Sequence, residues 1–158
     1  MIQRIQTVFL LVVALAMGAF IGLPVWEKVG AAGDQSIKLD ALTLTHQINS
    51  VQSQIDPMYH YLGLAVLVAA VALFGIFQFR NRLLQSALCA VNSILMITLL
   101  GLVVYQTLYK AGKLFEPEIQ GEYGYGFYAL VIGMIANVLA NRFIRRDEKM
   151  VRESNRFR

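Results

Sequence analysis

Residues able to carry chemistry are few in this chain, and they do not stand where catalysis would need them. There are two histidines, His46 and His60, and one cysteine, Cys89. The four longest apolar runs hold no Asp, Glu, Lys, Arg or His in their central portions. An ionisable group inside a membrane span is costly unless a partner or water receives it, so such a group marks function by default. Its lack here weighs against an ion-coupled transporter or a proton pump. Intramembrane proteolysis would need paired carboxylates, a serine with a base, or an H-E-x-x-H pattern, and the apolar runs supply none of these. Cys89 lies within an apolar run and reads as a small buried hydrophobe; a single cysteine forms neither an intramolecular disulfide nor a thiolate cluster. The chain is therefore expected to be no enzyme, with no catalytic residue, no metal and no cofactor.

The polar groups inside the apolar runs are amides and hydroxyls: Asn92, Ser93, Thr98 and Gln106 in the third, Asn137 and Asn141 in the fourth. Side chains of this kind hydrogen-bond across helices, each contributing about 0.6 kcal/mol on average. Asn92, Asn137 and Asn141 are the expected inter-helix contacts. Asn92 and Asn137 fall on the same half of two adjacent antiparallel spans, so they are the pair to watch. If they converged on a cavity, with Gln106 too distant to join, it would suit a small polar headgroup.

The elements that must position these residues follow from composition. The chain has 158 residues, of which 57% are hydrophobic and 15% charged, and its mean hydropathy is +0.56. That balance makes lipid the solvent. Runs at about 5–26, 58–79, 84–109 and 124–143 each reach the ~20 residues that cross a ~30 Å hydrocarbon core. The first, "IQTVFLLVVALAMGAFIGLPVW", exceeds the ~7–15 apolar residues of a signal peptide and is read as a retained span. The short turn "RNR" makes spans two and three an antiparallel hairpin. The expected fold is an all-α membrane protein: a four-helix transmembrane bundle in one domain, 1–158.

Lys and Arg near the span ends set orientation. Arg4, Arg80, Arg82 and seven residues of the tail lie on one side; Lys28, Lys38, Lys110 and Lys113 lie on the other. Both termini are thus expected in the cytoplasm. The outer loop 27–57 is too long for a plain connector. In "SIKLDALTLTH" apolar and polar residues alternate, with a slip at Ala41-Leu42 that reads as a bulge or turn. The loop reads as a short β-hairpin or ribbon on the outer surface, although "HQINSVQSQI" could instead extend span two. The second outer loop, 110–123, is rich in turn residues, and an aromatic belt of Phe115, Tyr123, Tyr125, Phe127 and Tyr128 gathers beside it. Small-residue pairs, Gly18-x-x-x-Gly22, Ala65-x-x-x-Ala69 and Ala136-x-x-x-Ala140, are read first as close helix contacts and second as docking surfaces.

The segment "RFIRRDEKMVRESNRFR", 142–158, holds seven of the 14 Lys and Arg residues. If the fourth helix continues, Arg145, Arg146, Lys149, Arg152 and Arg156 decorate a tail, 144–158, in which Glu148 and Arg152 have supportive i,i+4 spacing. With Arg4 and Arg142 these form the candidate contact for a partner or for anionic lipid. Interleaved acids and the shortage of stacking aromatics weigh against nucleic acid.

The opening "MIQRIQTVFLL", the closing "RRDEKMVRESNRFR" and "RNRLLQ" between the middle spans resemble a family of small four-span inner-membrane proteins from Bacteroidota with no assigned function. The resemblance implies a multi-pass bacterial inner-membrane protein and a bundle of four helices. It suggests that Gln3, Arg4, Gln6 and Thr7 share the cytoplasmic face with the tail. It carries no activity and no site. The function expected is a non-catalytic accessory or scaffold subunit, embedded in the bilayer and contacting another membrane or cytoplasmic protein through its basic face. The rival expectation is a binder or carrier of lipid or a small amphiphile, in a cleft lined by Asn92, Asn137 and the outer aromatics.

Overall fold

The computed structural model describes residues 3–49, 51–79, 81–114, 116 and 118–156, and the side chains of these except at 3–4, 51–54 and 152–156. Four helices alternate in direction: α1 (Gln3–Gly22), α2 (Tyr59–Phe77), α3 (Arg82–Tyr105) and α4 (Tyr125–Arg156). All four are long and apolar enough to cross a membrane. Each packs against two neighbours, α1 and α3 both lying between α2 and α4, so the bundle is a closed ring. One end carries a β-sheet; the other carries the α2–α3 turn and the far half of α4.

The sheet is larger than a hairpin. Strands β1 (Trp26–Val29), β2 (Gln35–Leu39), β3 (Thr43–Ile48), β4 (Val51–Pro57) and β5 (Glu122–Tyr123) form one antiparallel sheet in the order β4-β3-β2-β1-β5. The slip at Ala41-Leu42 is the β2–β3 turn, where the Asp40 N–H donates to the Thr43 carbonyl at 2.9 Å. The register does shift once, between His46 and Gln47. The described residues of "HQINSVQSQI" pair as β3 and β4 and do not lengthen α2. Asn49, at φ 50°, takes the left-handed conformation that asparagine tolerates at a turn.

Three span boundaries differ from the sequence reading. Helix α1 stops at Gly22, and Trp26 already pairs with Leu39 in the sheet. Pro24 explains this, because its ring disfavours helical geometry in the residue before it and it has no N–H to donate. Helix α3 continues through a π-helical turn, Gln106–Lys110, into a short 3-10 turn, Ala111–Lys113. Helix α4 continues past the expected span end at Phe143, as the sequence reading allowed, and runs unbroken to Arg156, 32 residues in all, or ~48 Å. The tail is thus the last part of a helix.

Bundle and sheet share one core. Val13, Met17 and Phe20 of α1, Tyr61, Ala65 and Val68 of α2, Met96, Leu99 and Val103 of α3 and Leu130 of α4 join Trp26, Ile37, Leu39 and Leu44 from beneath the sheet. Small residues set helix spacing, but not at every match. A Cβ on Gly133 would stand 2.9 Å from the Met96 terminal methyl and 3.1 Å from Ala16 Cβ. Ala65, Ala136 and Ala140 are buried. Gly18 and Gly22 are exposed, and a Cβ there would meet nothing within 4 Å, so this pair makes no helix contact in the bundle.

Candidate functional site

At the tail end, chemistry-bearing side chains converge on α4. Arg142, Arg145, Arg146 and Lys149 are all exposed, and their spacing of three and four residues places them on one helical face. The same face, one to two turns earlier, carries the exposed apolar residues Ile135 and Val138. The side chains of Arg4, Arg152 and Arg156 lie outside the described residues.

The acid in the middle of this segment is turned away from the basic face. Asp147 is 8% exposed and pairs with Arg82, whose Nη1 stands 3.2 Å from Asp147 Oδ2. The contact to the carboxylate is an ion pair; the aligned hydrogen bond from Arg82 Nη1 goes to the Asp147 backbone carbonyl at 3.0 Å. Beside it, Arg145 Nε donates to Ser86 Oγ at 3.4 Å, and the Ser86 hydroxyl donates to Asn141 Oδ1 at 2.9 Å. Three contacts thus fasten the start of α3 to α4. Arg82, read from sequence only as a topology charge, is a structural clamp. The signal that could have found it is the one acid, Asp147, that falls on the inward face of an otherwise basic helix end.

Deeper in the bundle the three asparagines separate in role. Asn137 Nδ2 donates to the Cys89 carbonyl and to Ser93 Oγ, each at 2.9 Å, bridging α4 to α3. Asn141 accepts from Ser86. Asn92 is 1% exposed and neither of its amide atoms has a hydrogen-bond partner; the Asn137 carbonyl oxygen also has none. Asn92 and Asn137 therefore do not form the pair expected of them. Asn137 reaches past Asn92 to the residues on either side of it. Two glutamines missed as interior residues, Gln6 and Gln85, are also buried, and Gln85 Nε2 donates to the Gly75 carbonyl at 3.0 Å. Both lie near a span end, where polarity reads as interfacial in sequence.

At the sheet end Lys28 is buried under β1. Its ammonium donates to the carbonyls of Gly112 at 2.8 Å and Glu116 at 3.0 Å, and the Glu116 carboxylate accepts from the Ala31 N–H at 2.9 Å. This ties the β1–β2 segment to the segment between α3 and α4. A Cβ on Gly121 would collide with the Trp26 ring, so the backbone there lies flat against the indole. On either side of the segment 119–123 is a cleft. The larger, about 690 Å³, is lined by Pro24, Glu27, Glu122, Tyr123, Tyr125 and Tyr128 among others; the smaller, about 280 Å³, lies against Trp26, Thr107 and Lys113. Asp40, at the β2–β3 turn, titrates above the ordinary carboxylate range: burial raises it, Lys38 opposes and Glu27 adds to the rise. Among the described residues no three of His, Cys, Asp and Glu group so as to hold a metal ion.

The sequence matches, over residues 2–157, the family described as Domain of unknown function (DUF4293). The chain belongs to this family. The match covers both the opening "IQRIQT" and most of the closing "RDEKMVRESNRFR". A search of curated proteins returned no match. Membership of DUF4293 thus assigns no activity, and the functional reading rests on the arrangement of side chains at the two ends of the bundle.

Proposed function

We propose that this protein is a non-catalytic membrane scaffold or accessory subunit whose α4 extension docks an acidic face of a partner protein. One observation supports this above others: α4 runs ~20 Å past Phe143, presenting Arg142, Arg145, Arg146 and Lys149 on one face while Asp147 is withdrawn to Arg82. Holding a terminus on one side of a membrane needs only scattered positive charge. A continuous helix that presents four cations on one face and turns Asp147 away from it exceeds that requirement.

On this reading the protein is a multi-pass component of a bacterial inner membrane, with both termini cytoplasmic and the sheet outside. The count of Lys and Arg at the two ends, ten against four, supports that orientation. A cleft using both Asn92 and the outer aromatics has less support, because Tyr128 and Tyr125 lie 9 and 12 residues from Asn137 along α4, ~14 and ~18 Å.

The test is site-specific photo-crosslinking from position 142 in native membranes at native expression, in the otherwise unchanged chain and in a variant that also carries Arg145→Gln, Arg146→Gln and Lys149→Gln. The expected result is one defined adduct that the triple variant loses. A protein that migrates alone under both conditions would overturn the reading. Single cysteines at Lys149 and at Gly33, in a Cys89→Ala background, test the orientation by labelling from opposite sides.

A further inference from the structure

We propose that the larger cleft at the sheet end binds an alkylammonium group, held by Glu122 and Glu27 against the rings of Tyr125 and Tyr128. The proposal is independent of the docking face on α4 and rests only on the reading that the four helices cross a bilayer.

The register fixes the charges. Strand β5 pairs with β1 so that Glu122 stands directly opposite Glu27. Residues so opposed project from the same face of the sheet with Cβ atoms ~5 Å apart, and like charges in that position repel. On its other side Glu27 faces Lys38 of β2, which offsets one carboxylate. Glu122 lies on the edge strand and has no such neighbour in register. The cation that lines the cleft, Lys28, sends its ammonium to the carbonyls of Gly112 and Glu116, neither of which lines the cleft. The cleft wall is therefore anionic, and a bound cation would relieve the repulsion that the strand pairing imposes.

The aromatic side chains supply the rest. Tyr123, Tyr125 and Tyr128 line the same cleft, Tyr125 and Tyr128 being 76% and 55% exposed. Tyrosine faces attract ammonium ions within ~6 Å, and cages of such rings recognise alkylammonium groups. The volume, about 690 Å³, lies in the ~300–1,000 Å³ range of small-molecule sites. Tyr128 also stands on the face of α4 that continues through Ile132 and Ile135, each 56% exposed. An acyl chain lying along that face would deliver a headgroup to the cleft. Ammonium chemistry is thus available from a phospholipid of the adjoining leaflet and also from a soluble amine.

Native mass spectrometry of the full chain in mild detergent, offered equimolar phosphatidylethanolamine and phosphatidylglycerol, provides the test. We expect the ethanolamine lipid to be retained about five- to tenfold better, and Glu122→Gln or Tyr128→Leu to bring retention near parity. Both side chains are exposed, so neither change threatens the fold; Asp34→Asn, an exposed acid at the same end that does not line the cleft, serves as a control that leaves the preference intact. Preference that resists soluble ethanolamine assigns the site to lipid. Glu122-dependent binding of soluble ethanolamine, without lipid preference, assigns it to a free amine. Equal or better retention of phosphatidylglycerol together with no binding of ethanolamine, or a preference unchanged in both variants, overturns the proposal.

Discussion

Arg82 and Asp147, 65 residues apart in sequence, meet where α3 begins and α4 leaves the bundle, with Nη1 3.2 Å from the carboxylate and 3.0 Å from the backbone carbonyl of the same residue. Their side chains are 22% and 11% exposed. Removing the cation leaves the more buried partner uncompensated, whereas removing the acid leaves an arginine that can turn toward water or headgroups. We expect Arg82→Ala to destabilise by about 1–3 kcal/mol and Asp147→Ala by less. The double variant should recover part of the loss. Unfolding in mixed micelles by SDS measures all three; equal costs for the two single variants would contradict the asymmetry.

Asn137 and Asn92 test what a buried amide contributes. Asn137 makes two hydrogen bonds from one nitrogen, so Asn137→Ala should cost about 1–2 kcal/mol. Asn92 makes none from either amide atom, and a buried polar group without a partner is itself a cost. Asn92→Ala, which removes the amide without adding bulk, should therefore cost clearly less than Asn137→Ala in the same unfolding assay. An equal or larger loss from Asn92→Ala would mean that its amide has a partner in the folded protein.

The contrast shows where sequence reasoning reached its limit. Hydropathy, which needs only a window of apolar residues, located all four helices. Alternation in "SIKLDALTLTH" pointed to strands, but it could not show that Glu122 and Tyr123, some 80 residues later, complete the sheet. Strand pairing at that separation depends on Trp26 and Gly121 meeting face to face, which no local pattern encodes. The candidate asparagines were legible as interior, because an amide in an apolar run has few other places to go. Their partners were not, because a hydrogen bond depends on the rotation of two helices about their axes. Arg82 and Lys28 were misread for a related reason: a cation near a span end signals topology in sequence, whether or not it is buried.

Gly121 is the point at which the segment between α3 and α4 closes on β1. A methyl group there would collide with Trp26, and overpacking of this kind costs about 1–3 kcal/mol. Gly121→Ala should detach β5 from β1, raising amide exchange across 119–126 and altering the emission of Trp26, the single tryptophan of the chain. Exchange in α1 to α4 below the sheet should change little. Unaltered protection of Tyr123 and Gly124 would show that the loop accommodates the methyl group.

Asp40 predicts a pH dependence. Burial holds its carboxyl above the ordinary value of 3.8, with Lys38 opposing the rise and Glu27 adding to it. Between that value and the raised folded one, the folded protein binds more protons than the unfolded chain, so stability falls as pH rises through this window. Above it, at neutral pH, the ionised carboxylate remains a standing cost. Asp40→Asn should therefore raise thermal stability at pH 7, and the gain should shrink as pH falls toward and below 3.8. Because Glu27 contributes, Glu27→Gln should lower the Asp40 pKa and reduce the gain from Asp40→Asn at intermediate pH. Melting curves of the two single variants and the double variant at pH 4 and pH 7 distinguish this coupling from a purely local effect of burial: independence of the two substitutions would place Glu27 too far from Asp40 to matter.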